Sequence, residues 1–189
     1  RPAQSPLVSV QAASRWVTLT FAGKATRFEG CALHRDQVTA QPSFAFLLLD
    51  CDRSLVLARV DRSGGVLKEP LPEDSALITS VTDPAGRALL FVSYNFQRGT
   101  SAWDAATLTP LVRWPIGSWG NAGTLGPSAS PDGRYVAVPT PYGGRVDFIR
   151  TSDLVDENYV QAPVRDQGPA QVVWGSNALT VVTASLPYE

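Results

Sequence analysis

The chain has 189 residues, of which 44% are hydrophobic and 17% are charged, with a formal net charge of −1 and an isoelectric point near 5.9. This length suits one domain with its own core. The near-neutral charge, without a local cluster of lysine or arginine, excludes the electrostatic footprint of a nucleic-acid-binding protein. The longest apolar run, Phe44–Leu49, is far shorter than the roughly 20 residues of a membrane-spanning helix.

The start of the chain and its two cysteines favour an oxidising compartment. The chain begins at Arg1 and contains no methionine, which is typical of an N-terminus made by signal-peptide removal, although artificial shortening would look the same. Cys31 and Cys51 lie near predicted strand ends, so we expect a disulfide between them, with two free thiols as the alternative. These cysteines and the single histidine, His34, lack zinc-ligand spacing, so no metal site is expected. We therefore expect an extracytoplasmic protein that is secreted, periplasmic or on the cell surface.

Short strands separated by turns are predicted along the chain, because 15 glycines and 15 prolines interrupt it. The first predicted strands cover Leu7–Gln11 and Trp16–Phe21. A further apolar stretch, Phe44–Leu47, follows the turn residues at 41–43. No segment of ten or more residues combines helical apolar spacing with caps, so no long helix is expected.

Two turn-and-strand patterns in the middle of the chain repeat. Residues 82–87 (TDPAGR) lead into an apolar strand, and residues 130–134 (SPDGR) lead into another. The turn glycines, Gly86 and Gly133, are 47 positions apart, and downstream Leu108 and Leu154 are 46 positions apart. Proline presets φ in such turns and glycine supplies the left-handed position, so the repeat has a structural reason. A weaker copy places Asn177, another residue that accepts positive φ, 44 positions after Gly133.

Each repeat is predicted to contain four short strands. In the clearest unit they cover Thr124–Ser130, Tyr135–Pro139, Arg145–Arg150 and a frayed strand near Asn158–Ala162. In the preceding unit they cover Ala76–Val81, Ala88–Ser93, Thr100–Asp104 and Leu111–Trp114. We therefore divide a single domain, residues 1–189, into clear units at 75–123 and 124–168 and weaker units at 37–74 and 169–189.

A repeat of about 45 residues with four strands is the spacing of a propeller blade. Residues 130–138 resemble the repeat of the TolB-like β-propellers, which are related in shape to the tryptophan–aspartate repeat proteins. The resemblance extends over roughly residues 76–183 and implies a radial arrangement of blades with a binding or scaffolding role. We expect an all-β fold, a β-propeller or partial propeller of about four four-stranded units, with a β-sandwich as the alternative.

The number of units raises the question of ring closure. Propellers of this kind commonly have six or more blades, whereas this chain holds about four units. The strands Leu7–Gln11 and Trp16–Phe21 could complete the last blade beside Ala178–Thr183, since an open sheet edge invites pairing. The chain could otherwise be a fragment, or a half-propeller completed by a second copy.

Candidate catalytic groups are few and scattered. His34 is interpreted as an exposed loop residue, and no Gly-x-Ser-x-Gly motif accompanies it. The carboxylates are interpreted as solvated turn acids, because a glycosidase pair needs a defined separation. The glycine-rich stretch at 117–123 is not followed by a helix that would bind phosphate, so no cofactor is expected. Trp16, Trp103 and Trp174 lie in predicted strands and are assigned to packing.

The predicted binding surface lies at the end of the units opposite the Pro-Asp-Gly turn. That turn joins the first and second strands, so the loops 94–99, 115–123 and 141–144 gather at the other end. Their aromatic and arginine side chains are of the kind enriched in binding hot spots. The predicted contact residues are Tyr94, Asn95, Arg98, Trp119, Asn121 and Tyr142. We expect a non-enzymatic module that binds a protein partner or a second copy, or supports a larger envelope or surface complex. A carbohydrate-active hydrolase or lyase, or a propeller fragment of a larger enzyme, is the alternative.

Overall fold

The computed structural model describes residues 8–72, 76–94, 99–116, 126–140, 145–161, 170–175 and 179–183, and the regular structure in these ranges is entirely β. Across the same ranges, no helix has the length and apolar character needed to cross a bilayer. Strands and tight turns alternate throughout, as the density of glycine and proline predicts.

Seventeen strands in the described ranges form five antiparallel sheets. The first sheet contains β1 (Val8–Ala13), β2 (Trp16–Phe21) and β3 (Lys24–Glu29) in that order. The second contains β4 (Cys31–Ala40), β5 (Phe44–Cys51), β6 (Ser54–Asp61) and β7 (Val66–Pro70). The third contains β8 (Ala76–Thr82), β9 (Ala88–Tyr94), β10 (Thr100–Asp104) and β11 (Thr109–Trp114). The fourth contains β12 (Ser128–Ala129), β13 (Tyr135–Thr140), β14 (Arg145–Arg150) and β15 (Val155–Gln161), and the fifth contains β16 (Ala170–Trp174) and β17 (Leu179–Thr183).

Each sheet packs on the sheets before and after it through the alternating sides of its strands. In β9, Leu90 and Val92 join the apolar cluster shared with the second sheet, whereas Leu89 and Phe91 join the cluster shared with the fourth. Side chains alternate between the two faces of a strand, so a strand buried on both faces reads as a continuous apolar run. The apolar run Phe44–Leu49 in β5 has the same explanation, since its alternate residues belong to different clusters.

The repeated turn residues occupy equivalent backbone conformations. Gly86 and Gly133 have φ values of +87° and +72°, and the N–H of each donates a hydrogen bond to the backbone carbonyl of the residue three positions earlier. Leu108 and Leu154 also have positive φ, at +54° and +60°, and their N–H groups donate to carbonyls four residues earlier. The 46- and 47-residue spacings therefore mark two turns that recur in consecutive sheets.

A lysine or arginine side chain connects each of the first three pairs of consecutive sheets by a hydrogen bond. Lys24 Nζ donates to the Ser63 carbonyl at 2.9 Å. Arg59 donates to the Ala106 carbonyl, and Arg87 donates to the carbonyls of Thr151 and Ser152. In every case the acceptor lies in the turn between the third and fourth strands of the following sheet, so the three contacts repeat one arrangement.

A ladder of polar side chains joins the first strands of the second and third sheets. Gln37 and Thr39 of β4, and Gln41 directly after it, bond to Ile78, Ser80 and Thr82 of β8 at 2.8–3.1 Å. The constant offset of 41 residues means that β4 and β8 run in the same direction. The turns 41–43 and 83–87 therefore share one end of the molecule, which we call the turn end, and β5 and β9 run from it to the opposite, loop end.

The predicted ring closure by the N-terminal strands is corrected. In the described residues β1 pairs with β2, and β2 pairs with β3, while neither β1 nor β2 pairs with β17. The face of this sheet turned away from the second sheet carries polar side chains, including Ser9, Gln11 and Thr18. The other joints are apolar, so this polar face lacks the chemistry of a further joint.

Candidate functional site

The loop end of the molecule is the candidate binding surface. Gly133 approaches the Thr82 carbonyl, which places the turn 130–134 beside the turn 83–87 at the turn end. Because β5, β9 and β13 all lead away from these turns, the last residues of these three strands lie at the loop end. Five predicted contact residues, Asn95, Arg98, Trp119, Asn121 and Tyr142, lie outside the described residues.

Tyr94, the sixth predicted contact residue, is a buried core residue rather than an exposed contact. Only 3% of its surface is accessible, and its ring belongs to the cluster between the second and third sheets. The reason is its place in β9, since Tyr94 lies two and four residues after Val92 and Leu90 and therefore points to the same face. The guanidinium of Arg113 lies 5.1 Å from the centre of its ring.

Buried hydroxyl groups support the loop that follows Tyr94. Trp103 Nε1 donates to Ser101 Oγ at 2.7 Å, and Ser101 Oγ donates to the Tyr94 hydroxyl oxygen at 3.3 Å. Beside them, the hydroxyl oxygens of Ser93 and Thr100 lie 2.7 Å apart, and Thr100 Oγ1 donates to the Ile116 carbonyl at 3.1 Å. Satisfied polar networks of this kind make a structure rigid. The segments that enter and leave 95–98, and the segment that leads into 117–125, therefore share one rigid base.

An ion pair with a buried carboxylate lies at the start of β14, the strand that follows residues 141–144 in the sequence. Arg145 donates to Asp147 Oδ1 through Nε at 2.8 Å and also through Nη2, and the accessible fraction of Asp147 is only 1%. The same guanidinium lies 4.1 Å from the centre of the Tyr159 ring. Within the described part of the chain, Asp147 Oδ2 has no hydrogen-bond partner. Burying a carboxylate oxygen without a hydrogen-bond partner is unfavourable, so Arg145 satisfies this buried group only in part.

The charge of Asp147 acts on Asp156 in the adjacent strand. Partial desolvation of its carboxyl group and the negative charge of Asp147 raise the pKa of Asp156, while Arg145 opposes that rise. A raised folded-state pKa means that ionised Asp156 weakens the fold at neutral pH, and that this weakening disappears as the pH falls through the raised pKa. We therefore expect Asp156→Asn to increase the free energy of unfolding at pH 7, by less than about 1 kcal/mol for this exposed residue, and to change nothing near pH 3.

Asp153 is the matched control for this prediction. The hydrogen bond from Arg150 lowers the pKa of Asp153, so its ionised form stabilises the fold and the stabilisation is lost as the pH falls. Asp153→Asn should therefore lower the free energy of unfolding at pH 7. Urea unfolding of both variants at several pH values gives the comparison, and effects of the same sign would contradict it.

The predicted disulfide is present, and the interpretation of His34 is corrected. Cys31 and Cys51 are directly opposed in β4 and β5 and form the bridge. His34 is buried, not exposed, and its Nδ1 lies 3.0 Å from Asp50 Oδ1. The physical reason is a bulge, in which residues 34–37 of β4 lie opposite the single residue Leu48 of β5. Sequence reasoning missed the bulge because its polar residues resemble a loop.

A cleft of about 390 Å³ opens between the fourth and fifth sheets. Its described lining combines aromatic and polar side chains. Phe148 and Trp174 meet edge to face with their centres 6.1 Å apart, and Trp174 Nε1 donates to Ser128 Oγ at 3.1 Å. A hydrogen bond to Glu157 raises the pKa of the Tyr135 hydroxyl. The described lining residues are Tyr135, Phe148, Glu157, Asn158 and Trp174.

Comparison with solved structures identifies the fold. No protein-family model matches the chain, and no curated protein matches it closely enough to count as a relative. The Dos1 propeller superposes with a TM-score of 0.60 at 16% identity, over 88% of this chain and 47% of that one. KlAtg21 in complex with the coiled coil of AgAtg16 gives 0.60 at 14% identity, over 97% and 64%. The Cps50 (Swd1) β-propeller domain of Myceliophteria thermophila gives 0.58 at 13%, over 95% and 64%.

These matches show a β-propeller fold and do not single out the TolB-like family. The β-sandwich alternative is set aside, since sheets stacked in chain order are the arrangement that the propellers share. The chain spans about half to two thirds of the length of these three structures. The described sheets do not form a closed ring by pairing, which fits a partial propeller.

Proposed function

We propose that the protein is a non-enzymatic propeller module that binds a protein partner through its loop end, in an extracytoplasmic compartment. The observation that carries the proposal is the rigid polar base under this end, formed by the hydroxyl network around Thr100. Loops on a rigid scaffold are where binding residues concentrate, because the scaffold fixes their position without ordering cost. The disulfide between Cys31 and Cys51 supports an oxidising compartment.

The composition of the loops supports a protein partner. They contain Trp119, Tyr142 and Arg98, and tryptophan, tyrosine and arginine are the residues enriched in interface hot spots. One solved neighbour, KlAtg21, is itself in complex with a coiled coil. For this chain we propose a protein partner as well, within a larger envelope or surface complex.

Substitutions in two separate loops test the proposed surface. Trp119→Ala and Tyr142→Ala should each weaken binding to a protein captured from the native extracellular or envelope fraction by about 1 kcal/mol or more, because each removes an anchor side chain. Their melting temperatures should stay nearly unchanged. Arg134→Ala is the matched control, since this exposed residue lies in the turn 130–134 at the turn end, and it should leave affinity unchanged. A large loss of stability in Trp119→Ala with unchanged affinity would place that side chain in the core and contradict the surface.

The cleft between the fourth and fifth sheets favours carbohydrate binding as a second candidate function. Its aromatic side chains lie beside Glu157 and Asn158, and a mainly apolar cleft with a few polar groups is the usual form of a small-ligand site. Hydrolysis by two carboxylates needs a second acid at a defined distance, and the described lining contributes Glu157 alone.

Titration with cellohexaose, chitohexaose and xylohexaose tests this candidate. Binding should change the fluorescence of Trp174, and Asn158→Ala should weaken it by about tenfold, since a lost hydrogen bond to a polar ligand costs on the order of 1 kcal/mol or more. Tyr159→Ala is the control, because successive residues of a strand point to opposite faces and Tyr159 follows Asn158. No fluorescence change with any of the three would reject the candidate, and released reducing sugar would make it an enzyme.

A further inference from the structure

The edge of β1 differs from the other edges of the first four sheets, whereas the two strands of the fifth sheet also carry neither charge nor proline. β1 pairs on one side with β2 and stands at the edge of its sheet. Natural proteins protect such edges with charges, proline, bulges or short strands. The edge strands β3, β7, β11 and β15 all carry charged residues, and β7 and β11 also carry proline. β4 is bulged and bonded to β8 through its side chains, and β12 has two residues.

β1 has none of these protections. Its six residues, VSVQAA, include no charge and no proline, and its register with β2 is continuous. In an antiparallel pair, alternate residues turn their N–H and C=O groups away from the partner strand. Half of the backbone groups of β1 therefore point to the open edge.

A cleft of about 480 Å³ runs along this edge. Val8, Val10 and Ala12 line one side, which are the alternate residues of β1 that face the second sheet. Leu33, Val38 and Ala40 of β4 line the other side and are only half-buried. An apolar groove beside backbone groups that have no strand partner among the described residues is the arrangement that accepts an added β-strand, in which main-chain bonds give affinity and alternate side chains give specificity.

The groove has one charged residue among its described lining. Asp36 is exposed at the bulge of β4, where its φ is +55°, and the other described lining residues are uncharged. Charge complementarity therefore favours a basic side chain on the added strand. We infer that β1 is a second binding site, which takes an extended peptide with apolar residues at alternate positions and a lysine or arginine near Asp36. This site is separate from the loop end and does not depend on it.

Backbone-methylated peptides test the added strand directly. The probe is a capped, fluorescently labelled peptide, Thr-Val-Thr-Val-Thr-Val-Lys, titrated against the full chain by anisotropy. Methylation of all valine amides blocks one edge of the peptide, and methylation of all threonine amides blocks the other. One methylated form should bind at least tenfold more weakly than the parent, and the other should bind like it. The proposal would be overturned if both methylated forms lost the same affinity or if both bound like the parent. It would also be overturned if the parent peptide did not bind at about 1 mM, which is on the order of the weakest specific complexes.

Substitutions in the groove locate the site. Val10→Lys should weaken the parent peptide at least tenfold, whereas Ser9→Lys, on the other face of β1, should leave binding unchanged. Asp36→Asn keeps a residue that accepts positive φ and should weaken the lysine peptide about two- to fivefold, the range of an exposed ion pair, without affecting a peptide ending in glutamine. Equal effects of Val10→Lys and Ser9→Lys would overturn the site. A concentration-dependent dimer that Val10→Lys dissolves would assign the edge to a second copy of this chain instead. If Val10→Lys fails to fold, the two methylated peptides and the Asp36→Asn variant still test the proposal.

Discussion

Gly133→Ala is expected to lower the free energy of unfolding by about 2–5 kcal/mol, whereas Gly86→Ala should lower it by about 1–2 kcal/mol. Both glycines have positive φ, and an alanine in the left-handed region costs on the order of 1–2 kcal/mol. The difference comes from packing between sheets. A Cβ on Gly133 would lie 2.1 Å from the Thr82 carbonyl oxygen, while a Cβ on Gly86 would meet nothing within 4 Å. The forced displacement of a packed neighbour typically costs a further 1–3 kcal/mol or so.

Urea unfolding at pH 7 measures both variants under one set of conditions, with the two turns acting as controls for each other. Since the turns share the same backbone bond and the same φ region, the difference between the variants reports the contact between the third and fourth sheets. Equal losses in the two variants would mean that these sheets do not approach as closely as the Thr82 contact requires.

Removing the disulfide is expected to have an effect of similar size. The double variant Cys31→Ala/Cys51→Ala should lose about 3 kcal/mol in the chain-entropy description, because the bridge closes a loop with a sequence separation of 20 residues. Cys31 is also buried in the cluster between the first and second sheets, so part of the loss would come from packing.

Reduction provides the control for the disulfide prediction. A reducing agent should lower the melting temperature of the wild type and leave the double variant unchanged. Thiol titration of the denatured, unreduced wild type should find no free sulfhydryl. Two free thiols would contradict the bridge and remove the main support for an extracytoplasmic location.

Strands with local signals could be predicted from the sequence, and strands that depend on partners could not. β2, β10 and β14 were predicted with the bounds that the structure has, and β8, β9 and β13 within one residue, because turn residues and apolar runs delimit them. β3 (KATRFE) and β7 (VLKEP) were missed because their exposed side chains leave no apolar pattern. β4 was missed because four of its residues, 34–37, form a bulge whose side chains bond to β5 and β8.

The candidate-site residues show the same difference between local signals, which the sequence contains, and contacts with distant residues, which it does not. Tyr94 was predicted to be a surface contact because it is an aromatic residue next to a loop, yet its spacing from Val92 and Leu90 already indicated a buried face. His34 could not be placed from its neighbours in sequence, since Asp50 lies 16 positions away. The contact role of Asn95, Arg98, Trp119, Asn121 and Tyr142 stays a prediction, and the surface experiment tests two of them.

The stacking of the sheets in chain order affects the order in which they unfold. Each apolar cluster of the described residues joins only consecutive sheets. The free energy of unfolding is therefore approximately a sum of the contributions of single sheets and of the interfaces between neighbouring sheets. In the described residues, the first sheet shares an apolar cluster with the second sheet only, whereas the third sheet shares clusters with both of its neighbours. Opening of the first sheet therefore breaks one interface, and opening of the third breaks two. We expect the amide hydrogens of the first sheet to exchange with solvent before those of the third, because local unfolding starts where the fewest apolar contacts must be broken.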